Sequence, residues 1–71
     1  MYQGGVEFVL TYRCFILNDA SDISERLSIK CDNDEGAIAE ADAALESRPE
    51  MVAIEVWDGA RLVRKLRRAA R

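Results

Sequence analysis

No histidine occurs in the chain, which removes the commonest general base, the only side chain that titrates unperturbed near neutrality, and the commonest metal ligand. Histidine-based hydrolytic triads and most zinc sites are excluded with it. No apolar run approaches the ~18 residues that a membrane span needs. Neither standard glycine-rich phosphate loop is present. The first residues, MYQGGVEF, lack a basic region and carry Glu7, so they do not read as a signal peptide. The expectation is a cytoplasmic protein whose two cysteines, Cys14 and Cys31, stay reduced.

What is present is an ordinary globular balance: 49% apolar and 32% charged residues, with one proline and four glycines, which argues against disorder. Seventy-one residues make one domain. A chain of this size buries only roughly 60% of the surface its unfolded form exposes, so self-association is a natural way to complete its core. Residues 1–6 and 67–71 have no apolar period and are expected to be disordered. The net charge of −3 hides a division. Residues 1–50 hold eleven acids and four bases, whereas residues 51–71 hold two acids and six bases. Two differently charged surfaces are expected.

Four strands and one helix can be read along the chain. Phe8 to Leu17 (FVLTYRCFIL) is rich in aromatic and β-branched residues, which favour a pleated surface. Asn18 to Asp22 is turn chemistry. From Glu25 to Cys31 the apolar Leu27, Ile29 and Cys31 alternate with Arg26, Ser28 and Lys30, the period of a half-buried strand. Asp32-Asn33-Asp34-Glu35 offers a capping oxygen and first-turn acids for the alanine-rich GAIAEADAALES, which Arg48-Pro49 ends. Ile38, Ala41 and Leu45, with Ala37 and Ala44, share one face of that helix. The stretch VAIEVWDGARLVRKL then places Asp58-Gly59 between two apolar-rich runs, the strongest local hairpin signal. The predicted fold is α+β: a four-stranded antiparallel sheet of ββαββ order, strand order 2-1-3-4, with the helix on one face.

Three stretches carry a resemblance: Tyr12-Arg13-Cys14-Phe15-Ile16-Leu17, the acidic helix start from Asp32 to Glu35, and Glu55-Val56-Trp57-Asp58-Gly59-Ala60-Arg61-Leu62-Val63. Over about residues 11–66 the chain resembles short uncharacterised proteins of alphaproteobacteria, a domain-of-unknown-function group of ββαββ order. The resemblance implies a bacterial cytoplasmic protein and brings no activity or site with it.

Folding the first strand onto the second about Asp22-Ile23 predicts Cys14 opposite Cys31 and Ile16 opposite Ile29. The thiols are read as small buried hydrophobes. A redox pair and a four-thiolate metal site shared across a dimer are the other readings, although zinc wants four ligands and one chain offers two. The same alternation sends Arg13, Phe15 and Leu17 to the opposite face, with Lys30. A tight loop at Asp58-Gly59 would pair Ile54 with Val63 and Trp57 with Ala60. A bulged loop that groups Ile54 and Val56 with Leu62 and Leu66 sorts charge from apolar residues better, and sets Glu55, Trp57, Arg61 and Val63 on the other face.

One helix covers one face, so the other is expected to expose Phe15, Leu17, Trp57 and Val63 inside a rim of Arg13, Glu55 and Arg61, a patch of the kind that marks interfaces. The function expected is therefore a non-catalytic interaction module that self-associates as a homodimer through this face or a strand edge. The alternative is weak nucleic-acid binding by the basic end, Arg64, Lys65, Arg67, Arg68 and Arg71, with Trp57 and Phe15 as stacking platforms, opposed by the low isoelectric point of about 4.8 and the acidic helix. Carboxylates clustered on an exposed helix face, in a chain too small for a pocket, do not suggest an enzyme, and no cofactor or metal ligand set is evident.

Overall fold

The computed structural model describes residues 9–68. Five elements follow in the expected order: β1 (Leu10–Leu17), β2 (Ile23–Cys31), α1 (Asp34–Glu46), β3 (Ala53–Asp58) and β4 (Arg61–Arg67). The strands form one antiparallel sheet in the order β2-β1-β3-β4, with α1 across one face.

Local chemistry sets each boundary. Asn33 caps α1 by accepting a hydrogen bond from the Gly36 N–H at 2.7 Å, and Asp34 and Glu35 bring negative charge to the positive end of the helix dipole. After Glu46 the chain leaves the helix through Ser47 and Arg48 toward Pro49. The side chains of Ala37, Ala41 and Leu45, spaced by four, are the ones α1 buries. They meet Tyr12, Cys14, Ile16, Ile29, Ile54 and Val56 from the sheet. Alanines let the helix lie close, so most of the apolar volume comes from the strands.

The pairing of β1 with β2 differs from the sequence expectation. Cys14 lies opposite Leu27 and Cys31 opposite Leu10, whereas Tyr12 faces Ile29. The cause is the turn at residues 18–22. Asn18 accepts from the Ala20 and Asp22 N–H groups through Oδ1 and from the Ser21 N–H through its carbonyl. Ser21 takes a left-handed φ of 67°. This closes the turn one step before Ile23, which pairs with Leu17 across a bulge. The shift from the expected partner is an even number of residues, so every side chain keeps its expected face.

The hairpin departs from both expected registers. Its two loop residues are Gly59 and Ala60, flanked by the pair Asp58 and Arg61. Gly59 has φ 61°, which glycine adopts without a Cβ penalty. Trp57 then pairs with Leu62 and Val56 with Arg64, leaving Val63 as an extra residue in β4. Beyond that bulge Ile54 faces Leu66, as the bulged register required.

The basic end is ordered further than expected. Arg67 is the last residue of β4, and Arg68 donates its backbone N–H to the Val52 carbonyl at 2.8 Å. Its guanidinium donates to the carbonyls of Met51 (2.9 Å), Arg48 (2.8 Å) and Leu45. Arg68 thus adds a cation to carbonyls behind α1, two of which, Leu45 and Arg48, already accept a backbone N–H. Residues 1–6 and 69–71, also expected to be disordered, lie outside the described residues.

One close approach yields a prediction. A Cβ added at Gly36 would sit 2.5 Å from Cys31 Sγ, a distance no real contact tolerates. Glycine to alanine inside a helix ordinarily stabilises by about 1 kcal/mol; here Gly36→Ala is expected to destabilise by roughly 1–3 kcal/mol through overpacking. In a Cys31→Ala background the same change should become neutral or stabilising. Thermal or urea unfolding of the four combinations measures the reversal.

Candidate functional site

Strand alternation divides the sheet into two chemically different surfaces. On the helix side sit Tyr12, Cys14 and Ile16 of β1 and Ile54 and Val56 of β3, all buried. The open side carries Thr11, Arg13, Phe15 and Leu17 of β1. Beside them, by register, are Arg26, Ser28 and Lys30 of β2, Ala53, Glu55 and Trp57 of β3, and Leu62, Lys65 and Arg67 of β4. Phe15 pairs with Glu55 and Arg13 with Trp57, which makes the two aromatic residues diagonal neighbours on the two central strands. Such neighbours are about 7–8 Å apart. Both rings are half-buried, and Leu62 beside Trp57 is 46% exposed.

Glu55 organises the centre of this surface. One carboxylate oxygen accepts the Trp57 indole N–H at 3.0 Å, fixing the ring, and the other lies 3.8 Å from Lys65 Nζ. Around it Arg13, Arg26, Lys30, Lys65 and Arg67 are exposed. Among the described residues the open face therefore holds five bases and one acid, a net +4. The helix has five acids, Asp34, Glu35, Glu40, Asp42 and Glu46, and no base. The two differently charged surfaces expected are present, but they do not follow the sequence boundary: Arg13, Arg26 and Lys30 come from the acidic residues 1–50, and Arg61 and Arg64 of the basic end follow the helix-side alternation.

Several residues expected on the open face lie elsewhere. Arg61 is on the helix side, because its partner Asp58 follows the alternation of Ile54 and Val56. Its guanidinium reaches Asp34 Oδ1 (3.2 Å) and Oδ2 (3.3 Å) and Asp58 Oδ2 (3.1 Å). Val63, displaced by the bulge, packs against the helix-side core. Leu17 has the expected face but only 6% exposure, which removes it as contact surface. Phe15, Trp57, Glu55 and Arg13 are brought together as expected. Of the basic end, Lys65 and Arg67 join the open face, Arg64 is exposed opposite Val56, Arg68 is engaged by carbonyls, and Arg71 lies outside the described residues. Lys30 was expected on this face, though outside the interface set; Arg26 was not placed there, although the period-two pattern of β2 contained the signal.

Two ion-pair clusters tie the helix to the sheet at its ends. At the start of α1, the Tyr12 hydroxyl donates to Asp34 Oδ1 at 2.8 Å beside Arg61. At the other end, Arg48 makes a two-pronged contact with Glu25, Nε to Oε1 at 2.8 Å and Nη2 to Oε2 at 2.9 Å, and also caps the Ala44 carbonyl. The guanidinium holds the Glu25 carboxyl below its usual range. These contacts are structural: among the described residues there is no cavity beside them and no cluster of metal-ligating side chains. Cys14 and Cys31 are free thiols. Burial, then the charge of Glu40, pushes the Cys14 thiol up, away from the reactive thiolate. No described helix is long and apolar enough to cross a membrane.

The chain matches no protein-family model, no curated protein and no solved structure.

The Tyr12 cluster predicts a pH response. Burial first, then its hydrogen bond to Asp34, pushes the Tyr12 hydroxyl from 10.0 up to about 12. An unfolded tyrosine ionises near 10 while the folded one keeps its proton, so stability falls as pH rises from about 10 through about 12. Asp34 acts in the opposite sense. Arg61, then the Tyr12 hydroxyl, holds its carboxyl below the ordinary range, so stability is lost as pH falls from about 4 through the folded value. In urea titrations Tyr12→Phe should flatten the alkaline loss and Asp34→Asn the acid one, each leaving the other limb present but reduced, because burial and Arg61, the larger causes, remain.

Proposed function

We propose that this chain is a non-catalytic interaction module whose working surface is the open face of the sheet. One observation carries the reading. Two aromatic side chains held on adjacent central strands, one by a hydrogen bond to Glu55, lie on a face that no element of the described chain covers. Rigid aromatic anchors inside a polar rim are the usual composition of a binding surface.

Charge bears on what that surface engages. Two copies stacked face to face would bring ten bases against two acids, and like charges across an interface cost several kcal/mol. The homodimer expected from the sequence is therefore opposed at this face, and the reading favours a partner of opposite charge. Edge pairing meets a similar obstacle, because the outer strands β2 and β4 carry Arg26, Lys30, Arg64, Lys65 and Arg67, charges that blunt strand edges.

Photo-crosslinking from single positions tests the surface without presuming the partner. A crosslinking residue in place of Ser28, on the open face, should give adducts in extracts of the source cells, whereas one in place of Asp42, on the outer side of α1, should not. Adducts from position 42 alone would overturn the reading. A mass-doubled adduct from position 28, with dimer by sedimentation, would restore the self-associating module.

A further inference from the structure

We infer that the open face binds single-stranded nucleic acid, with Phe15 and Trp57 stacking on bases and Arg13, Arg26, Lys30, Lys65 and Arg67 meeting the phosphates. The inference rests on the reading of that face as the binding surface and names its occupant.

Three features favour this occupant over other anionic partners. The face is +4 within a chain of net −3. Its positive charge is therefore concentrated where the aromatic residues are, and a polyanion is steered to one side of the molecule. The bases surround the rings: Arg13 is paired with Trp57, Arg26 with Phe15, and Lys65 with Glu55 between them. A base stacked on either ring would leave its phosphate within reach of a guanidinium or ammonium group. An acidic peptide would use the charges but offers no regular succession of flat groups to stack on both rings, whereas every base has a π-face. The separation of diagonal neighbours, about 7–8 Å, lets successive splayed bases meet successive rings. Four-stranded sheets with stacking aromatics on their face bind single strands in this way.

Duplex recognition fits poorly. The helix, the element that would enter a groove, carries five acids and no base, and a phosphate-lined groove repels it. Glu55, the one acid on the open face, is hydrogen-bonded to the indole N–H and paired with Lys65, so its charge is offset. Exposed Thr11 and Ser28 add hydroxyls that suit phosphate or sugar oxygens. The nucleic-acid reading expected from the sequence shared the stacking residues Phe15 and Trp57 but took its phosphate contacts from the chain end. The surface inferred here spans all four strands and draws only Lys65 and Arg67 from that end.

Fluorescence anisotropy with a labelled oligothymidylate of about ten nucleotides, within the range such folds occupy, tests the inference on the full chain. Binding is expected at low salt, with log affinity falling against log salt at a slope of up to about −3.5 for five phosphate contacts. Arg26→Gln with Lys30→Gln, both exposed on the edge strand, should reduce that slope by about 1.4. Phe15→Leu keeps an apolar side chain at a central position and should weaken binding by about fivefold to a hundredfold through lost stacking. Quenching of Trp57, the single tryptophan, reports contact in the unmodified protein. No binding at low salt would overturn the inference, and so would polyglutamate or a duplex of the same sequence binding as tightly. Protein adducts from position 28 together with no oligonucleotide binding would remove the nucleic acid and keep the surface. Loss of both would remove the surface as well.

Discussion

A single thirteen-residue helix cannot cover both sides of a four-stranded sheet, and the distribution of side chains follows from that shortfall. The covered side takes the residues that must be dry, Tyr12, Cys14, Ile16, Ile54 and Val56, packed under a helix narrow enough at Ala37 and Ala41 to lie close. The uncovered side carries long basic side chains at positions that neighbour the two aromatic residues by register. Acidic charge is left for the outer surface of the helix. The separation of charge is thus a result of layer count as much as of sequence position.

Contacts at the two ends of the helix fix how it sits on the sheet. Asp34 is at once a first-turn acid, an acceptor for Tyr12 and a partner of Arg61, so one carboxylate joins α1, β1 and β4. At the opposite end Arg48 reaches Glu25 on β2, and Arg68 collects carbonyls from the helix end and the loop before β3. Exposed ion pairs contribute little to stability individually. Their consequence here is positional, since they oppose rotation of a helix whose alanine face would otherwise grip the sheet weakly.

The order of the elements, the strand order and the covered face were legible in the sequence, because alternation in Glu25 to Cys31, the cap at Asp32 to Glu35 and the glycine at 59 are local signals. Registers were not, for a reason that two residues illustrate. The Asn18 side chain closes its turn earlier than a fold about Asp22-Ile23 allows, and Val63 inserts an extra residue into β4. Neither event alters hydrophobic periodicity nearby, which is the quantity a sequence displays. An even-numbered shift left the β1–β2 faces intact, so Phe15 and Arg13 were placed correctly. The single-residue bulge moved Arg61 and Val63 to the helix side, so one of the three expected rim residues and one of the four expected apolar residues were lost from the open face. Alternation had already put Lys30 on that face, and Arg26 joined it only once the register set Arg26 opposite Phe15.

The charged layers also make the molecule a strong electrical dipole whose isoelectric point misdescribes its behaviour. A resin or a bilayer does not encounter the average of the charges; it encounters whichever face turns toward it. At neutral pH the sheet side is attracted to sulfonated beads, heparin or anionic lipid, while the helix side is attracted to quaternary-amine beads. Retention on a cation-exchange column is thus compatible with an acidic composition, and a purification scheme chosen from composition alone would start on the less informative resin.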